Sequence, residues 1–194
     1  MAAHALDRGV GGGVIDVELM LSRDGYDWQR PFRHEFFLPR GSAGAFDGGS
    51  IFTNSTPVLL EDEMRFYYGG YSAGATSSDN SLHTSGIGLA TLPRDRFAGI
   101  APLAHTDLPT QRQAVEGVGQ VTLKKIPAAG LHGIELNAAA DAGCIRVELL
   151  DGTGRRVPGY TVEDAVAIRG DCLRHEVAWN HRRLSDLPPG DYML

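Results

Sequence analysis

A chain of 194 residues with a formal net charge of −6, 42% hydrophobic and 22% charged residues, has the make-up of a folded globular protein rather than a disordered one. The acidic balance gives no footprint for a nucleic acid, which asks for a concentrated Lys/Arg surface, and the one basic cluster, His181-Arg182-Arg183, reads as a solvated turn. No apolar run approaches the roughly 20 residues of a membrane span, and Met1–Val10 lacks the apolar centre of a signal peptide, so neither nucleic acid nor membrane is an expected partner.

Val14–Leu21 (VIDVELML) alternates, with Ile15, Val17 and Leu19 on one face and Asp16 and Glu18 on the other. That is the period of a half-buried strand, with the two acids on its polar face. Ser22-Arg23-Asp24-Gly25 supplies a hairpin turn, because Gly tolerates positive φ and Asp bonds nearby backbone. Tyr26–Phe32 returns with Trp28 as a core anchor. A Gly-rich loop follows (Arg40–Gly49), then Ser50–Leu60 with Pro57 in its middle, which predicts an edge, bulged or two-part strand.

Met64–Tyr71 (MRFYYGGY) and Gly86–Leu92 read as strands on either side of a small, polar surface loop, Ser72–Ser85. Residues 101–119 have no clear period and are read as a crossover between two domains, 1–100 and 120–194. Beyond it, short strands recur: Gln120–Ile126, Gly133–Ala138, Cys144–Leu150, Ala165–Ile168 and Arg174–Trp179, with turns at Asp151–Gly154 and Gly170-Asp171. That spacing suggests a β-sandwich. No long amphipathic helix appears. Cys144 and Cys172 lie in apolar surroundings and are expected as two buried free thiols, a single bridge remaining open. Asp191–Leu194 looks like the start of a strand, and the opening strand pair has no earlier partner. The expectation is therefore a piece of a longer protein, incomplete at both ends.

Several of these residues together carry a resemblance. Ser22-Arg23-Asp24-Gly25-Tyr26-Asp27-Trp28, Phe46-Asp47-Gly48-Gly49, Tyr67-Tyr68-Gly69-Gly70 and Gly86–Thr91 resemble the hairpin and last blade of glycoside hydrolase family 32 and its five-bladed relatives. Glu135–Ala138, Gly143–Asp151, Pro158-Gly159-Tyr160, Gly170-Asp171 and Val177-Ala178-Trp179 are similar to the β-sandwich that follows such propellers. The resemblance implies an all-β chain: the last one to two blades of a five-bladed β-propeller followed by a β-sandwich. It further implies a glycosidase acting on O-glycosidic bonds in the intact protein, with a carbohydrate substrate, no cofactor, and an extracellular or periplasmic location. In that family the catalytic carboxylates lie in early blades. No catalytic residue is carried over to this chain, the missing N-terminal blades are its implied partner, and the chain alone is expected to be inactive.

Glycoside hydrolysis needs two carboxyl groups flanking the scissile bond. Among the acids here, Asp24 reads as a turn former and Glu61-Asp62-Glu63 as a solvated turn. Asp47 stands just before a strand, where it would meet a sugar hydroxyl or merely fix its loop. Tyr67, Tyr68 and Tyr71 offer aromatic faces with polar tips, for a sugar or for packing, and His83 stands in the polar loop. The candidate substrate-binding residues are Asp47, Tyr68 and His83. No metal-ligand spacing, nucleophile elbow or phosphate loop is present; Gly11-Gly12-Gly13 precedes a strand, the wrong context for a dinucleotide. The rival reading is a non-catalytic carbohydrate-binding or scaffold module, its sandwich presenting Trp179 and Tyr160 to sugar.

Overall fold

The computed structural model describes residues 2–5, 13–76, 83–101 and 118–194, the first stretch in its backbone only. The chain is all-β. Among the described residues there are several sheets, none closed into a barrel, and no α-helix, only a 3-10 turn at Leu184–Asp186. It divides into two compact units, 1–95 and 96–194. The expected crossover falls largely outside the described residues, as do Gly11, Gly12 and residues 77–82 of the polar loop.

The first unit is built on one six-stranded sheet. Its strands are β1 (Ala2–Ala5), β2 (Ile15–Glu18), β5 (Ser50–Thr53), β6 (Val58–Leu59), β7 (Glu63–Tyr71) and β8 (Ser85–Pro93). Between β2 and β5 lies a separate small hairpin of β3 (Leu21–Ser22) and β4 (Trp28–Gln29). The long antiparallel ladder of β7 and β8, from Glu63↔Pro93 to Tyr71↔Ser85, is the backbone of the unit. On the other edge of β7, β5 pairs with its C-terminal half and β6 with its N-terminal half. Pro57 lies in the break between β5 and β6, where no ladder needs its missing N–H. Alternation along β7 buries Met64 and Phe66, and Phe37 meets the Phe66 ring edge-on at 5.3 Å.

Three expectations for the opening segment are corrected. The eight-residue strand is split into β2 and β3, and the return strand shrinks to Trp28–Gln29. Trp28 is not a core anchor: it is 52% exposed, and its indole N–H closes the turn by donating to the Gly25 carbonyl. Asp16 and Glu18 are buried rather than solvated. The cause is topological. β2 is an inner strand between β1 and β5, and the chain returns over it through the Val17↔Leu38 bridge. Arginines from the returning segment then neutralise the two acids.

In the second unit β10 (Glu135–Ile145) pairs with β12 (Ile168–Glu176), and β13 (Asp191–Met193) lies between β11 (Leu150–Asp151) and β9 (Ile126–Pro127). The terminal strand thus has partners on both sides, contrary to the expectation of a cut strand with an unpaired ladder. Of the strand expected over 120–126, only Ile126 is in β9. Gly170-Asp171 is not a turn between strands but part of β12. Its positive φ of 80° sits where the register slips between Ala140 and Ile145, the position of a bulge. Cys144 and Cys172 are exposed free thiols, not buried ones. They lie on a two-stranded ladder whose side chains stand largely in solvent.

The core of this unit gathers Val147, Leu149, Tyr160, Ala165, Ile168, Val177 and Trp179. The Trp179 indole N–H donates to the Val147 carbonyl at 3.0 Å, and the ring meets Tyr160 edge-on at 5.2 Å. Tyr160 in turn donates to the Arg183 carbonyl at 2.8 Å. Both polar tips are satisfied, so two large rings are buried without an unpaired donor.

The two tryptophans should therefore respond to different degrees in urea unfolding. Trp179→Ala is expected to cost about 3–5 kcal/mol, the range for an aromatic removed from a packed core. Trp28→Phe should cost about 1 kcal/mol or less, the net worth of one exposed hydrogen bond. Equal effects would contradict the placement of either ring.

Candidate functional site

The loop before β5 curls on itself. The Gly41 N–H donates to the Asp47 carbonyl and the Gly48 N–H to that of Ala45. This brings Phe46 and Asp47 over the inner face of the β7–β8 ladder. Asp47 is 9% exposed, and the Tyr68 hydroxyl donates to its Oδ2 at 2.9 Å. Phe46 lies nearly parallel to the Tyr68 ring, 6.4 Å between centroids.

This arrangement exists because side chains are missing beneath it. A Cβ at Gly70 would lie 2.6 Å from the Asp47 Cβ and 2.7 Å from the Phe46 ring. One at Gly88 would meet the Tyr68 ring at 2.5 Å or less, and one at Gly86 would press on Phe46 at 2.9 Å. Those distances lie well inside van der Waals contact, so glycine is required at each by neighbouring atoms rather than by backbone angle. In a β-strand such glycines mark a close approach.

Burial first, and the Asp47 contact second, push the Tyr68 phenol above its ordinary value. The hydroxyl therefore stays protonated and remains a donor throughout the neutral range. Asp47 can accept from hydroxyl donors, and the aromatic pair walls one side. These are the elements of a contact to a polyhydroxylated ligand.

Of the three sequence-predicted site residues, the structure brings Asp47 and Tyr68 together. His83 is exposed just before β8, and no hydrogen bond joins it to either among the described residues. Tyr67 and Tyr71 point to the opposite, outer face of the sheet and are 39% and 47% exposed.

Sequence reasoning missed the two buried ion pairs beside this loop. Arg40 holds Asp16 twice, its backbone N–H donating to Oδ1 at 2.9 Å and its guanidinium to Oδ2 at 2.6 Å. Arg30 Nε donates to Glu18 Oε2 at 2.7 Å. Arg40 is also the residue at which the loop carrying Asp47 begins. The available signal was the pair of acids within an otherwise apolar run, followed by unassigned arginines.

The second unit concentrates its polar contacts on the surface. Arg96 donates to the side chains of Asn137 and Asp171, holding the Asp171 carboxyl below its ordinary value. Arg156 bridges Glu148 and Glu163. Glu163 is lowered to about 2, first by the Thr161 hydroxyl and then by Arg156. Among the described residues no group of three or more His, Cys, Asp or Glu comes together in a metal-binding arrangement, and no helix is long and apolar enough to cross a membrane.

Comparison of the chain with protein-family models, with characterised proteins and with solved structures found no match.

The Tyr68 contact has a pH signature. A phenol whose folded value is raised stabilises the fold fully below its unfolded value of 10.0. It loses that contribution as pH rises from there through the folded value. Wild-type stability should fall above pH 10 more steeply than that of Tyr68→Phe, while at pH 7 the variant should be about 1.5–3 kcal/mol less stable, as for a hydrogen bond to a charged group. Parallel pH curves in urea unfolding would contradict the assignment.

Proposed function

We propose that this chain is the closing part of a glycoside-hydrolase-like five-bladed propeller protein with its trailing β module. In this reading Asp47 and Tyr68 bind a glycan hydroxyl, and the carboxylates that cleave the O-glycosidic bond come from other blades of the intact protein. The observation that carries the reading is the Asp47–Tyr68 pair held over Gly70 and Gly88. A carboxylate fixed by a phenol beside an aromatic ring suits a sugar hydroxyl, which brings both a donor and an apolar C–H face.

In this reading the chain alone is inactive, and the commitments of three of its acids support that. Hydrolysis needs a carboxylic acid and a second carboxylate on opposite sides of the bond. Asp16 and Glu18 are neutralised by arginines, and Asp24 accepts from the backbone N–H groups of Tyr26 and Asp27. Burial of Trp179 and Tyr160 supports this reading over a sugar-binding face on the second unit, which needs an exposed aromatic row.

Two measurements test the proposal. On sucrose, fructans and aryl glycosides the 194-residue chain should give no turnover. In affinity electrophoresis through a panel of soluble glycans, at least one should retard the wild-type chain, and Asp47→Asn should lose that retardation under conditions where circular dichroism and a cooperative urea transition show it still folded. Hydrolysis by the chain itself would overturn the first part, and a panel that retards wild type and variant equally would overturn the second.

A further inference from the structure

The Asp47 carboxylate is committed at one oxygen and open at the other. The Tyr68 hydroxyl donates to Oδ2 at 2.9 Å. Among the described residues Oδ1 has no bonded donor, and no side-chain oxygen is both sealed from solvent and unbonded, so Oδ1 meets solvent. Gly41 decides where that oxygen lies. A Cβ there would fall 2.1 Å from Oδ1 and 2.9 Å from the carboxyl carbon. Gly41 has no positive φ, unlike Gly44 in the same loop. Glycine is needed at 41 for the space a side chain would take, and Oδ1 occupies that space.

The polarity of the contact is the second observation. The Tyr68 proton lies on Asp47, which leaves the phenol oxygen only its lone pairs, and a carboxylate has no proton to give. The two arginines beside the loop are committed elsewhere, Arg40 to Asp16 and Arg30 to Glu18. Oδ1 and the Tyr68 oxygen therefore both accept, and neither donates. A sugar carboxylate, sulfate or phosphate brought to them would meet like charge and find no donor in the pair. A divalent cation is served no better, since calcium takes about six to eight oxygens.

We infer that Gly41 is the positioning residue for the ligand-facing oxygen of Asp47, and that this contact takes an uncharged sugar through two neighbouring hydroxyls and refuses an acidic one. Two adjacent O–H groups donate together, one to Oδ1 and one to the Tyr68 oxygen, where a single hydroxyl would satisfy one acceptor only. Phe46, nearly parallel to the Tyr68 ring, adds an apolar wall for the C–H face of the same sugar. The inference rests on the glycan reading of Asp47 and Tyr68 and narrows it, from any glycan hydroxyl to a pair of hydroxyls without a neighbouring acid. It also gives Gly41 a part that its backbone angle does not explain.

The test compares dextran, inulin, arabinan and mannan, each as a hydroxyethylated and a carboxymethylated form of equal substitution. The 194-residue chain is titrated calorimetrically in 1 M NaCl, where a screening length of about 3 Å removes the general repulsion by its net charge of −6. At least one hydroxyethylated polymer should bind, and its carboxymethylated form should bind about tenfold or more weakly. Gly41→Ala should weaken that binding about tenfold or more, as for a lost hydrogen bond to a charged group, and should lower the urea midpoint. In an Asp47→Ala background the same substitution should leave the midpoint unchanged, because the oxygen it strikes is gone. Should Gly41→Ala not fold alone, folding of the double variant is the same expected result. An equal cost in both backgrounds would overturn the positioning role. Equal binding of the two polymer forms, lost in Asp47→Ala, would overturn the choice of ligand and leave the glycan reading standing. Binding of no polymer, or binding that survives Asp47→Ala, would overturn the inference and the glycan reading together.

Discussion

Where β7 runs against β8, Gly70, Gly86 and Gly88 leave a hollow on the inner face, and Phe46, Asp47 and Tyr68 fill it. The loop from 41 to 48 takes its shape from that fit, because its two inward side chains have one place to go. β5 starts directly after the loop and pairs with the C-terminal half of β7. The same hollow thus positions the carboxylate and fixes where the third strand of the ladder begins. A methyl group at Gly70 or Gly88 would displace the carboxylate or the phenol, so local packing and the candidate contact cannot be altered separately.

Charge plays two different parts in the two units. In the first, Asp16 and Glu18 are buried and each is matched by an arginine from the returning segment. Such pairs add little net stability against well-packed apolar residues, but removing one partner strands a buried charge at a cost of about 3–5 kcal/mol. They hold the segment from Arg30 to Arg40 over β2, and so hold the start of the loop that presents Asp47. In the second unit, Arg96 and Arg156 clamp exposed carboxylates across neighbouring strands and turns. Exposed pairs of that kind contribute little individually, and the buried Trp179–Tyr160 contact dominates there.

The parts of the fold legible in the sequence were those decided by local pattern. β7 and β8 were readable within a residue or two because alternation and aromatic content agree with a long paired strand. Pro57 marked the break between β5 and β6 because its missing N–H is a local fact. What failed depended on distant chain. Asp16 and Glu18 look solvated until Arg30 and Arg40 return over them. Trp28 looks like a core residue until its hairpin is seen to stand apart from the six-stranded sheet. Gly170-Asp171 has the chemistry of a turn and is used for a bulge, which requires the same positive φ. Asp47 and Tyr68 were each identifiable by type, but their pairing depends on glycines whose purpose appears only when the strands are assembled.

If Asp47 and Tyr68 act as one unit on that glycine floor, they must be energetically coupled. The direct measurement is a double-mutant cycle of Asp47→Asn and Tyr68→Phe in urea unfolding at pH 7. A coupling of about 1–3 kcal/mol is predicted, as for residues sharing a buried hydrogen bond. Additivity within about 0.3–0.5 kcal/mol, the behaviour of independent sites, would contradict it.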